Sequence, residues 1–269
     1  MPRVPDQGRP IRVIVTRPAR EAARWVKDLQ AFGFEALALP LIDIVAPLDF
    51  TSLEAARSAI SGYAAVMFVS PNAVDGFLPE AGRADRTHAA VASGIRAWSP
   101  GPGTTRALKL SGWPSDLIDE PGPDAPQFDS EALWAQVQSQ VQPGSRVLIV
   151  RGADAQGRPA GRDWLAKQLR AAGVLVEEVA AYRRACPVFD TASRVLAVAA
   201  ASDASVWLFS SSEAISNLLE LLPAQDWSAA RAVATHERIA QAALSAGFGR
   251  VGQCRPTVES VAASIESVS

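Results

Sequence analysis

The ordered pattern of the chain begins with a short apolar run, Arg12–Thr16, of the kind found in strands buried on both faces. It breaks at Arg17-Pro18, where proline suits the first turn of a helix. Ala22, Trp25, Val26, Leu29 and Phe32 then recur at helical spacing and predict one buried face. Gly33 stops that helix, and Glu35–Leu39 reads as a second strand, completing a β-α-β unit. The same pattern returns later. Ser145–Val150 is a strand, Arg151-Gly152 begins a loop, and Asp163–Ala172 is a helix with Trp164, Leu165 and Leu169 inward. Gly173 ends it, and Val174–Ala180 is the next strand.

Two further pairs of segments match. Ala65–Ser70 with Pro71-Asn72-Ala73-Val74 parallels Val206–Ser210 with Ser211–Ile215. Each is an apolar strand ending on serine, followed by residues that can cap a helix. Gly101–Arg106 up to Gly112 parallels Ala234–Arg238 up to Gly247 more loosely. A doubled domain accounts for all three pairs. The β-α-β unit comes first in one copy and last in the other, so one lobe is expected to be inserted into the other. Residues 1–43 and 187–269 then form a discontinuous lobe and residues 50–180 the inserted one, with linker strands at 44–49 and 181–186. Alternating strands and helices imply an α/β fold, with a parallel sheet covered on both faces in each lobe.

The chain of 269 residues, 48% hydrophobic and 20% charged, can build a real core and is far from the composition of a disordered protein. A formal net charge of −2 and a pI near 5.8 argue against nucleic-acid binding, which leaves a basic footprint. They leave room for an anionic ligand, since a cleft can be locally positive on an acidic protein. Cys186 and Cys254 have no metal-ligand spacing and read as reduced thiols of a cytoplasmic protein. Met1–Pro10 is polar and proline-rich, without the apolar stretch of a signal peptide, and no run suits a membrane span.

Ligands of open parallel sheets bind outside the carboxyl ends of the strands. The turns there carry Thr16-Arg17, Ser70-Pro71-Asn72, Gly101–Thr105, Arg151-Gly152, Ser210–Ser212 and Thr235-His236. They are small, hydroxylated or cationic, and most lead into a helix N-terminus with its unpaired N–H groups and partial positive charge. Such turns suit carboxylate or phosphate. Singly, each serine or threonine is an ordinary helix cap. Arg17 and Arg151, however, hold equivalent places in the two copies, and arginine suits carboxylate binding. Gly101-Pro-Gly103 lacks the third glycine of a dinucleotide fingerprint, and there is no Gly-Lys-Ser/Thr phosphate loop. His88 falls in the polar stretch Arg83–His88, read as a solvated loop. With His236 the only other histidine, no histidine-rich metal centre is expected.

This inventory, in this order, resembles the uroporphyrinogen-III synthase family over nearly the whole chain. The likeness rests on Val15-Thr16-Arg17-Pro18, Phe68–Val74, Gly103-Thr104-Thr105, Val150-Arg151-Gly152, Gly161-Arg162, Ala181–Arg184, Phe209-Ser210-Ser211, Thr235 and Pro256-Thr257. Thr235-His236-Glu237 departs from the Gly-Pro-Thr-Thr turn of many relatives, and Gly152–Gly161 is longer than common. The resemblance implies two flavodoxin-like lobes, one inserted in the other, and an enzyme without cofactor or metal. It implies hydroxymethylbilane as substrate, and a product, uroporphyrinogen III, formed with loss of water and inversion of ring D. Loss of the terminal hydroxyl gives an azafulvene, and closure at the substituted position of ring D gives a spiro intermediate that fragments and recloses. The bilane also cyclises unaided to the uninverted isomer, so the enzyme has mainly to orient the chain.

For so carboxylate-rich a substrate, Thr16, Arg17, Ser70, Asn72, Thr104, Thr105, Arg151, Gly152, Arg162, Ser210, Ser211 and Thr235 are the expected binding residues. Tyr182 matches the tyrosine that members keep at the second crossing, and its hydroxyl is the candidate acid for the leaving hydroxyl. A cytoplasmic monomer receiving the bilane from the preceding pathway enzyme fits the same resemblance, with neither membrane nor nucleic acid as partner. The rivals are a non-enzymatic two-lobed regulator of this fold and a nucleotide-dependent enzyme. The first would bring a DNA-binding domain and the second a phosphate loop.

Overall fold

Apolar runs too short for helices, set between amphipathic stretches, assemble as parallel sheets in the computed structural model, which describes residues 10–78, 83–122, 125, 127–154 and 156–269. The stretch Met1–Arg9 and Ala155 of the Gly152–Gly161 insertion lie outside the described residues. The chain begins with β1 (Arg12–Val15), α1 (Ala19–Ala31), β2 (Glu35–Ala38), β3 (Asp43–Val45), α2 (Phe50–Ser58), β4 (Ala65–Phe68) and α3 (Pro71–Phe77). It continues through α4 (Arg83–Ala92), β5 (Arg96–Trp98), α5 (Pro102–Leu110), β6 (Ile118–Asp119), α6 (Ser130–Val137), β7 (Arg146–Ala153), α7 (Trp164–Ala171) and β8 (Leu175–Ala185). It ends with α8 (Thr191–Ala200), β9 (Val206–Phe209), α9 (Ser212–Leu221), β10 (Arg231–Ala234), α10 (Glu237–Ser245), β11 (Arg250–Gln253) and α11 (Val258–Val268). These elements divide into two compact units, Met1–Asp43 with Ala185–Ser269, and Ile44–Arg184.

The first unit holds a five-stranded sheet in the order β11-β10-β9-β1-β2, parallel throughout. Pleating sends alternate residues to opposite faces. Val13, Val15, Val206, Leu208 and Val233 pack against Ala22, Trp25 and Leu29 of α1 and Val261 and Ile265 of α11. On the other face Trp207 and Phe209 meet Trp227 and Phe248, with ring centroids 5.3 to 6.2 Å apart. Gly33 ends α1 at a φ of 89°, a left-handed conformation that glycine adopts freely. Phe32, expected on the buried face, is 51% exposed because it is the helix C-cap, where the turn has already left the helical path.

The second unit holds a six-stranded sheet in the order β3-β8-β7-β4-β5-β6. Val66, Phe68, Leu148 and Val150 pack with Val74, Phe77 and Trp113 on one face. Met67, Val147 and Ile149 pack with Leu133, Leu165 and Leu169 on the other. Read from its far edge, this sheet runs β6-β5-β4-β7-β8 before β3, so that β4, β7 and β8 stand where their sequence counterparts β9, β1 and β2 stand in the first sheet.

Two local expectations need correction. Arg151-Gly152 does not begin a loop: β7 runs on to Ala153, hydrogen-bonded beside β8. The polar stretch Arg83–His88 is not a loop either but most of α4, which stays helical because Thr87 and Ala90 are buried. Among the described residues, no helix is long and apolar enough to cross a membrane.

Candidate active site

The carboxyl end of β4 joins Ser70 to Tyr182. Ser70 leaves the strand in an extended conformation, φ −163°, and caps α3, its Oγ accepting from the Ala73 N–H at 3.2 Å, with Pro71 at the first helical position. The same Oγ lies 3.1 Å from the Tyr182 hydroxyl. Tyr182 reaches it through an irregularity. Strands β7 and β8 pair in step from Arg146↔Leu175 to Arg151↔Ala180, then slip by one residue, so that Gly152 faces Tyr182. Such a bulge re-aims the side chain beyond it. Ser70, Gly152 and Tyr182 are therefore brought together. Asn72 follows in the first turn of α3, half-buried.

Beside α3 stands α5. A methyl built on Gly103 would lie 3.7 Å from Pro71 Cγ, so the two helices start side by side. Thr104 and Thr105 are buried. Thr105 Oγ1 is 2.9 Å from Ser99 Oγ and 2.7 Å from Glu120 Oε2, and Ser99 Oγ donates to the Gly101 carbonyl at 2.8 Å. These hydroxyls hold the turn together with the Thr104 and Thr105 N–H groups, which both donate to the Gly101 carbonyl, at 3.1 and 3.2 Å.

Arg151 lies on the other face of the sheet, 5% exposed. Its Nη1 pairs with Glu178 at 2.8 Å and its Nη2 donates to the Arg162 carbonyl at 2.6 Å, while its buried Nε has no partner. Arg162 is exposed and paired with Glu131. A cavity of about 230 Å³ opens between Met67, Val69, Ile149, Leu165, Arg151 and Arg162.

The first unit repeats the theme. Thr16 is buried and its hydroxyl donates to the Leu208 carbonyl at 2.7 Å. Arg17 pairs with Glu21 at 3.1 Å and lies 4.7 Å over the Trp25 ring. Burial pushes its guanidinium below the ordinary arginine range, and Glu21 opposes that shift. Ser210 is half-buried at the end of β9, and Ser211 caps α9 by accepting from the Glu213 N–H at 3.2 Å. The Thr235 N–H continues the ladder to Phe209 O at 3.1 Å, and His236 caps α10, its Nδ1 accepting from the Arg238 N–H at 3.1 Å. Among the described residues no three His, Cys, Asp or Glu side chains group so as to hold a metal ion.

A family model described as uroporphyrinogen-III synthase HemD matches residues 23–263. The chain belongs to that family. A uroporphyrinogen-III synthase of Synechococcus elongatus is 26% identical over 220 residues, 81% of this chain and 78% of that one. One of Chlorobaculum parvum is 25% identical over 218 residues, 80% and 81% of the two chains. Among solved structures, the uroporphyrinogen-III synthetase of Helicobacter pylori matches with a TM-score of 0.61 at 13% identity, over 97% of this chain and all of that one. A mutant uroporphyrinogen III synthase of Thermus thermophilus matches with a TM-score of 0.50 at 16% identity, over 96% of each. These likenesses carry the α/β fold, and the family model carries the uroporphyrinogen-III synthase assignment.

Sequence reasoning missed the groups that occupy its candidates: Glu178 on Arg151, Glu21 and Trp25 on Arg17, and Ser99 and Glu120 on Thr105. Only Glu21 carries a readable signal, since it stands four residues after Arg17, the spacing of neighbours on a helix. Trp25 and Ser99 are also near in sequence but carry no such signal, and Glu178 and Glu120 come from separate elements.

Proposed function

We propose that the chain closes hydroxymethylbilane to uroporphyrinogen III with loss of water and inversion of ring D, and that Tyr182 is the acid for the leaving hydroxyl. The observation that carries this reading is the Tyr182–Ser70 hydrogen bond of 3.1 Å at the carboxyl end of β4. Ser70 already accepts from the Ala73 N–H, so its own proton is available to the phenol oxygen. Tyr182 gives its proton to the departing hydroxyl, the carbon–oxygen bond breaks, and water leaves. Ser70 then donates to the phenolate oxygen. The proton shed by the ring nitrogen in forming the azafulvene restores the phenol.

The substrate-binding residues divide by exposure. Ser70, Asn72, Arg162, Ser210, Ser211 and Thr235 reach the surface and contact substrate carboxylates directly. Thr16, Thr104, Thr105 and Arg151 are buried with internal partners and shape the turns, as does half-buried Arg17 through Glu21 and Trp25. A charge-assisted hydrogen bond contributes about 1.5–3 kcal/mol, so a few reach the ~8 kcal/mol of micromolar binding. The same proposal has the enzyme working as a cytoplasmic monomer, its two cysteines free, and taking the bilane from the preceding pathway enzyme.

The test is a coupled assay that supplies fresh hydroxymethylbilane and separates the oxidised products into type I and type III isomers. Type III in excess over the protein-free control is the expected result. Type I alone, from folded protein and intact substrate, would overturn the assignment of this activity. If Tyr182→Phe kept full turnover and isomer ratio, the acid role would be gone while the synthase stood.

A further inference from the structure

A glycine inside a strand costs stability, so one that faces a buried aromatic needs a reason. Gly152 does not adopt a left-handed φ, so backbone conformation does not require it. Space does. A methyl built there would lie 2.9 Å from Cζ, 3.0 Å from Cε2 and 3.2 Å from the hydroxyl of Tyr182. Ordinary carbon contacts are about 3.5–4.0 Å, so the phenol would have to withdraw by about half an ångström or more. It has little room, being 4% exposed and packed in the core. A second glycine guards the other side of the bulge. A methyl on Gly76 of α3 would lie 2.4 Å from the carbonyl oxygen of Ala181, the residue skipped where the register slips. The helix that begins at Ser70 thus rests directly on the bulge that aims Tyr182.

We propose that Gly152 is a positioning residue: its missing side chain is the space in which the Tyr182 phenol is held against Ser70. The glycine therefore serves the reaction through Tyr182 and does not itself bind substrate. This rests on Tyr182 acting at the leaving hydroxyl, and the experiment separates the two claims.

Gly152→Ala, Tyr182→Phe and the double variant are compared for kcat, KM and type III fraction in the coupled assay. Misplacing a reacting group by about 1 Å can cost on the order of a hundredfold in rate. Gly152→Ala is expected to lower kcat by about tenfold or more, with KM within about twofold and a reduced type III share. Added to Tyr182→Phe, it is expected to cost little more, because the hydroxyl it displaces is already gone. A Tyr182→Phe enzyme with full activity sinks the acid reading. An active Gly152→Ala enzyme beside an impaired Tyr182→Phe enzyme sinks the positioning role alone. Fully multiplicative losses in the double variant also sink it. Thermal unfolding covers the case in which Gly152→Ala folds poorly. The loss of Tm on adding Gly152→Ala is expected to disappear in a Tyr182→Ala background, where no ring meets the methyl. An equal loss in both backgrounds would mean that the glycine answers to something else.

Discussion

Removing the two ends of the Arg151–Glu178 pair should have unequal consequences. The Arg151 side chain is 6% exposed, whereas that of Glu178 is 20% exposed and keeps a second partner, Arg170 at 2.8 Å. Arg151→Met removes the buried charge, fills much of its volume, and leaves the Arg162 carbonyl without its donor. That is one unpaired acceptor, about 1–3 kcal/mol. Glu178→Gln instead leaves the guanidinium buried without a compensating anion, since the amide oxygen can still accept from Nη1 but carries no charge, and Nε still has no partner. Breaking a buried pair from one side costs about 3–5 kcal/mol, and the partial exposure of Glu178 puts this case near the lower end. Urea unfolding should therefore rank Glu178→Gln as the more damaging change by about 1 kcal/mol or more. In the coupled assay Arg151→Met should keep KM within about twofold, because its contacts are internal. A larger stability loss for Arg151→Met would refute the electrostatic reasoning. A tenfold rise in KM at unchanged stability would show Arg151 meeting substrate directly and refute its structural role.

Other consequences can be checked more simply. Arg57 is buried, and its Nε donates to the Phe77 carbonyl at 2.9 Å and its Nη2 to the Gly76 carbonyl, at the end of α3; Arg57→Met should destabilise by about 2–4 kcal/mol, read as a lower Tm. Burial pushes the Cys254 thiol up to about 11, so near pH 8 only about one molecule in a thousand carries the thiolate. Iodoacetamide should label it slowly in the folded protein and rapidly after unfolding; fast labelling of folded protein would contradict its burial. Asp190 caps α8, and the Ser193 N–H holds its carboxyl below the usual range. Its stabilisation is present above about pH 4, the unfolded carboxylate value, and is lost as pH falls through the folded one. Asp190→Asn, which caps about as well, should leave Tm near neutrality almost unchanged and flatten its fall in acid.

Much of the fold was legible because it rests on local rules. The run Arg12–Thr16, the helical spacing from Ala22 to Leu29 and the stop at Gly33 each declare themselves within a few residues, and the repeat of that pattern at Ser145–Ala180 carries the doubling. Legibility failed where a distant partner decides. The charged stretch Arg83–His88 looks like a loop because nothing near it in sequence announces the buried places of Thr87 and Ala90. Phe32 fits the helical period, yet the helix ends just before it. The slip between β7 and β8 leaves no mark on either strand alone; it exists only in their pairing. The candidate site inherits that limit. Composition of the turns named Ser70 and Gly152, and the family resemblance named Tyr182, but only the bulge joins them.

The internal hydrogen bonds of these turns also bear on how the fold tolerates sequence divergence among relatives. Thr16 gives its hydroxyl to Leu208, Thr105 sits between Ser99 and Glu120, and Ser211 holds the Glu213 N–H. Side chains spent in this way fix the course of the backbone where helices begin. A substitution that keeps the path of the turn is then tolerated at many positions. That tolerance fits relatives that share only about a quarter of their residues with this chain while aligning over some four-fifths of it. Under the proposed function, the demanding part of the chemistry, which is to hold a flexible bilane in one conformation, falls to the geometry of the turns rather than to strong charge.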